Sequence, residues 1–82
     1  MTTFHEIKLS YTIQGVKFTR SIPDKLFSEC VKTRMKDSHY SEYEAIINVI
    51  YTLVSNFSND EYVEFIECEY IDDMGFRVKI VR

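Results

Sequence analysis

The chain reads as an α+β domain of order β-β-α-α-β-β, a four-stranded antiparallel sheet with two helices packed on one face. Three observations predict it. Apolar and polar side chains alternate near both ends of the chain, over residues 4–22 and 61–81, and apolar ones recur at helical spacing between. Gln14-Gly15 and Asp72-Asp73-Met74-Gly75 interrupt the alternating stretches where hairpin turns would stand. Two glycines and one proline in 82 residues leave little room for loops or linkers, so residues 1–82 form a single domain.

Residues 4–13 predict a half-buried first strand, with His5, Ile7, Leu9, Tyr11 and Ile13 pointing one way and Glu6, Lys8, Ser10 and Thr12 the other. After the Gln14-Gly15 turn, Val16, Phe18, Arg20 and Ile22 alternate with Lys17, Thr19 and Ser21 in a second strand. Ser21-Ile22-Pro23-Asp24 is a helix entry, with Ser21 as cap and Pro23 in the first turn. Leu26, Phe27, Cys30, Val31 and Met35 then follow at helical spacing to about Lys36-Asp37.

Ser41-Glu42-Tyr43-Glu44 matches a capping box and opens a second helix. Its apolar stripe is Tyr43, Ile46, Ile47, Ile50, Leu53, Val54 and Phe57. Val49 and Tyr51 fall off that stripe, so the helix is apolar around most of its girth. It is either sandwiched inside the fold or shared with a second subunit, and Val49 and Tyr51 are candidate contact residues. Ser58-Asn59-Asp60 ends the helix.

Seven carboxylates and no base follow between Asp60 and Asp73, threaded through strand formers. Tyr62, Ile66, Cys68 and Tyr70 share one face of this third strand with Glu64 and Asp72, while Val63, Phe65 and Ile71 share the other with Glu61, Glu67 and Glu69. Neither face is cleanly apolar, which predicts a bulge or partial cover on both sides. Phe76, Val78 and Ile80 alternate with Arg77, Lys79 and Val81 in a last strand, whose bases can sit opposite Glu67 and Glu69.

The net charge of -3 offers no bulk attraction to nucleic acid or anionic membranes. It is unevenly spread: residues 1–36 hold seven bases and three acids, and residues 37–82 hold three bases and ten acids. Lys25, Lys32, Arg34 and Lys36 are the best bases for phosphate binding, but the acidic run shares the same small body, so direct nucleic-acid binding is not expected. Residues 1–6 lack a basic stretch followed by an apolar run, and the apolar patch at 45–54 is too short to span a bilayer. With two isolated cysteines, the expectation is a cytoplasmic chain without membrane insertion.

Catalytic and metal chemistry find little purchase. Cys30, Cys68, His5 and His39 are isolated in sequence and match no zinc spacing. No Gly-rich phosphate loop and no nucleophile-elbow motif occurs. Glu67 and Glu69 lie on one strand face, but a carboxylate pair works as acid and base only inside a water-excluding pocket. No catalytic, cofactor-binding or metal residues are therefore assigned, and the chain is read as a non-enzyme.

The opening MTTFHEIKLSYTIQ and the segment SEYEAIINVIYTLVSNFSND resemble, in overall character rather than by a motif, the small soluble accessory proteins of T-even-type phages. Those are short, compact chains rich in Ile, Tyr, Asn, Lys and Glu. Within that group the chain looks most like the cytoplasmic lysis-inhibition accessories of the rIII type. The resemblance carries no site residue over. It implies a non-enzymatic factor that binds and modulates one host or phage protein, with lysis inhibition through a holin or antiholin as the implied setting.

The resulting expectation is a protein-binding module that regulates or inhibits a partner and associates with itself as a dimer or larger oligomer. Glu64, Glu67, Glu69, Tyr51 and Val49 are its candidate partner-binding residues. The alternative is an acidic nucleic-acid mimic that blocks a nucleic-acid-binding protein through the carboxylate run.

Overall fold

A computed structural model describes residues 3–82. Along the chain lie β1 (His5–Ile13), β2 (Val16–Ile22), α1 (Asp24–Asp37), α2 (Glu42–Ser58), β3 (Phe65–Ile71) and β4 (Arg77–Val81). The strands form one antiparallel sheet in the order β2-β1-β3-β4, so the two hairpins meet along β1 and β3. This is the ββααββ fold read from the sequence.

Local chemistry accounts for most of the element boundaries. Gln14 and Gly15 both adopt positive φ, 49° and 80°, which is the two-residue turn whose twist matches a hairpin. Ser41 caps α2 reciprocally: its hydroxyl accepts from the Glu44 N–H at 3.2 Å, and the Glu44 carboxylate accepts from the Ser41 N–H at 2.9 Å. Asn59 takes the left-handed conformation at the end of α2, where the Asp60 N–H reaches back to the Ser55 carbonyl. Asp72 holds the last turn by accepting from the Met74 and Phe76 N–H groups at 3.0 and 2.9 Å.

Two boundaries differ from the sequence reading. Ser21 does not cap α1, because it pairs with Lys8 inside β2, and Pro23 takes the cap position without a side-chain bond. In β1 the pairing with β3 slips by one residue between His5 and Lys8, and Glu6 sits at φ 50°. This bulge turns Phe4 inward and leaves His5 outside, bonded to Asp24 at 3.4 Å, instead of sharing a face with Ile7. Phe4 then meets Phe27 and Tyr70 edge-on, at ring separations of 5.2 and 5.1 Å.

One core lies between the sheet and the helical pair. Ile7, Leu9 and Tyr11 of β1 and Ile66, Cys68 and Tyr70 of β3 meet Phe27 and Val31 of α1 and Ile46, Ile50 and Val54 of α2. Burial of each large apolar side chain contributes about 1.5–3 kcal/mol. The anticipated bulge therefore exists, but in β1; β3 is cleanly apolar on one face because it begins only at Phe65. The helices also grip each other through Arg34, which donates across to the Asn48 side chain and to the Thr52 hydroxyl at 3.4 Å, while a bond to the Cys30 carbonyl of its own helix at 3.4 Å steadies it.

Val49 belongs to this core. It is 1% exposed, so a partner cannot reach it, and its candidacy as a contact residue is withdrawn. Of the two options read from the girth of α2, the sandwiched one accounts for Val49, since α1 and the sheet together cover Ala45, Ile46, Val49 and Ile50.

Candidate functional site

The acidic run is largely answered from within the fold. Glu64 lies just before β3, where its carboxylate accepts the Gly15 N–H at 2.9 Å and ties the first hairpin turn to the chain leaving α2. Glu67 and Glu69 point from β3 onto the sheet face that the helices leave open. There Glu67 stands 3.6 Å from Lys79 and 4.0 Å from Lys17, and Glu69 stands 3.5 Å from Arg77. Arg77 and Lys79 do answer these two acids, though diagonally, since the register sets Lys79 beside Glu69 and Arg77 beside Ile71. Exposed pairs of this kind contribute only about 0.2–1 kcal/mol each, so they set register and cancel charge more than they stabilise.

Tyr51 stands in a different environment. It is 42% exposed on the outer side of α2, and together with Tyr40, Tyr43, Glu44, Ile47, Asn48 and Arg82 it lines an open cleft of about 360 Å³. That volume falls at the lower end of the roughly 300–1,000 Å³ of small-ligand sites. Tyr43, Ile47 and Tyr51 follow at intervals of four, which stacks them as one stripe along α2. Arg82, just after β4, closes the cleft from the sheet side: its Nε donates to the Tyr51 hydroxyl at 3.3 Å.

The charges of the cleft are unequal in availability. The bond from Arg82 to Tyr51, with smaller help from Tyr43, pushes the guanidinium pKa further up, so the cation is permanent. Among the described residues Arg82 has no Asp or Glu side chain within ion-pair distance. The one carboxylate in the lining, Glu44, is already engaged, because the Ser41 N–H and hydroxyl hold its pKa below the ordinary 4.5. The cleft therefore presents a fixed, incompletely bonded guanidinium beside an aromatic and aliphatic wall.

The sequence reading found Tyr51 as a contact residue but missed Tyr43, Ile47 and Arg82. Tyr43 and Ile47 had a signal in their spacing with Tyr51, hidden because both also fit the inward stripe. Arg82 had none, since only the register of β4 brings it beside α2.

The remaining candidates do not assemble. Arg34 is turned into the α1–α2 seam and is lost to the basic cluster of α1. Burial pushes the Cys68 thiol up to about 12, which makes it a core residue and not a nucleophile. Among the described residues no three His, Cys, Asp or Glu side chains converge as a metal set, and no helix is long and apolar enough to cross a membrane. No protein-family model, no curated protein and no solved structure matches this chain.

Proposed function

We propose that this chain is a non-enzymatic protein-binding module that modulates one partner, and that it holds the partner in the cleft formed by Tyr40, Tyr43, Tyr51 and Arg82. What carries this reading is Arg82, a guanidinium fixed by Tyr51 at the mouth of an apolar groove and, among the described residues, paired with no side-chain carboxylate. Such a site takes a segment that presents a carboxylate next to an apolar side chain. Tyrosine and arginine are the residue types that most often dominate binding energy at protein interfaces. The resemblance to small phage accessory proteins supplies a setting, modulation of one host or phage protein.

The acidic-mimic alternative is disfavoured by the contacts of Glu64, Glu67 and Glu69, each already engaged by this chain's own donors or bases. Affinity capture with identification of the bound protein, repeated with two variants, tests the choice. The Tyr51→Ala, Arg82→Glu double variant should lose the partner, while Glu67→Lys, Glu69→Lys should keep it. The reverse pattern would hand the contact to the carboxylates and end the cleft proposal.

A further inference from the structure

The sheet is open, and its two edges differ in a way that singles out one of them. β2 forms one edge and β4 the other. Along β2 every residue from Val16 to Ser21 is exposed, including Val16 at 55% and Phe18 at 44%. The register shows which backbone groups are unused. In a two-residue hairpin the residues flanking the turn, here Ile13 and Val16, form a hydrogen-bonded pair, and the pairs then alternate. Thr12 fits that alternation, since its carbonyl accepts from the Glu64 N–H at 2.9 Å on the far side of β1. Phe18 and Arg20 therefore spend their N–H and C=O groups on β1, and Lys17, Thr19 and Ser21 turn theirs outward.

β4 is guarded by charge. Ile66 and Arg82 exchange both backbone bonds, at 3.1 and 2.9 Å, so Arg77, Lys79 and Val81 turn their backbone groups outward. Pairing β4 with its own copy over the full strand centres the two-fold axis on Lys79 and sets one ammonium against another. Exposed lysines of this kind are how natural edges avoid pairing.

β2 has no such obstacle. A two-fold axis through Thr19 uses the whole strand and sets Thr19 against Thr19, Lys17 against Ser21, Phe18 against Arg20 and Val16 against Ile22. No like charges oppose each other, and the outward groups of Lys17, Thr19 and Ser21 fall into hydrogen-bonded pairs. The side-chain match is specific at one point. Arg20 already lies 4.4 Å over the Phe57 ring, and this register sets Phe18 of the second copy, which stacks on its own Tyr11, directly across from it.

We infer that β2 is a self-association edge, which pairs antiparallel with β2 of a second copy of this chain about a two-fold axis through Thr19 to give a continuous eight-stranded sheet. The cleft lies at the opposite, β4 side of the sheet, so both clefts stay open in the dimer and each half can be tested alone.

Sedimentation across the micromolar to millimolar range, with amide hydrogen exchange at the upper end, tests it. The expected result is a dimer in which the Lys17, Thr19 and Ser21 amides gain protection, while those of Phe18 and Arg20 are protected in monomer and dimer alike. Thr19→Lys places two ammoniums on the axis and should give a monomer with unchanged circular dichroism. So should Thr19→Glu, and mixing the two should restore a heterodimer. A wild type that stays monomeric overturns the inference, as does a dimer without protection at Thr19, a Thr19→Lys variant that still dimerises, or growth into filaments by β2-to-β4 pairing.

Discussion

Cys68 lies at the middle of the sheet, beside Leu9 of β1 and Ile80 of β4, with no exposed surface. Burial pushes its thiol from 9.0 up to about 12, with a smaller push from the Glu69 carboxylate. Between those pH values the unfolded chain has released the proton and the folded chain keeps it. The unfolded state then binds fewer protons, so stability falls as pH rises. The contribution is fully present below about pH 9 and is lost progressively towards pH 12, and the whole gap corresponds to about 4 kcal/mol.

Cys68→Ala removes the titration and leaves a small void that costs about 1–2 kcal/mol near neutral pH. Wild type should lead at about pH 8, lose roughly 2–3 kcal/mol relative to the variant by about pH 11, and fall below it. Burial raises the Tyr70 phenol as well, and since Tyr70 is present in both proteins the comparison largely cancels it. Urea unfolding followed by circular dichroism at several alkaline pH values measures the difference. Parallel stability curves for the two proteins would show that the thiol is not held in a desolvated site.

Val49→Ala should cost about 2 kcal/mol in urea unfolding, and the folded fraction should bind partner as wild type does, because the side chain supports the core and touches nothing outside. Gly15→Ala should cost about 1 kcal/mol by thermal unfolding. The cause is the φ of 80° alone, since an added Cβ would meet no atom within 4 Å. Ser41→Ala should cost about 1 kcal/mol of stability. It should also move the Glu44 titration, followed by NMR, only part of the way back up, because the backbone N–H of residue 41, the larger cause of the lowered pKa, stays, so the stability lost as pH falls through the Glu44 pKa shrinks without vanishing.

Features that depend on a few neighbouring residues were legible in the sequence. The Ser41 capping box, the Gln14-Gly15 turn and the Asp72–Gly75 turn are each closed by side-chain or backbone groups within four positions, so composition and spacing suffice. Features imposed by distant parts of the chain were not. Ser21 is a good cap by type, yet pairing with Lys8 claims it for β2. Glu6 carries no mark of positive φ; the slip between β1 and β3 places it there.

The candidate site follows the same rule. An amphipathic pattern gives the width of an apolar stripe, but α1 and the sheet decide which border of it is covered, and they cover Val49 while leaving Tyr43 at 57% exposure. The mixed faces read for the third strand came from extending it back through Tyr62 and Glu64, residues that precede the true strand. Arg82 entered the cleft only through the register of the last hairpin.

The strand order has a kinetic consequence. β1–β2, α1–α2 and β3–β4 are each formed by sequence neighbours and can close rapidly, but the central junction of β1 with β3 sets Leu9 against Cys68 across both helices. Loop closure must precede any return from that pairing, so it carries the largest chain-entropy cost of the sheet. Until it forms, β1 and β3 each expose a bare edge and an apolar face. The Glu64 carboxylate on the Gly15 N–H closes the same long loop at the hairpin tip, and so acts as a latch on the docking of the two halves. Removing it should slow refolding more than it speeds unfolding.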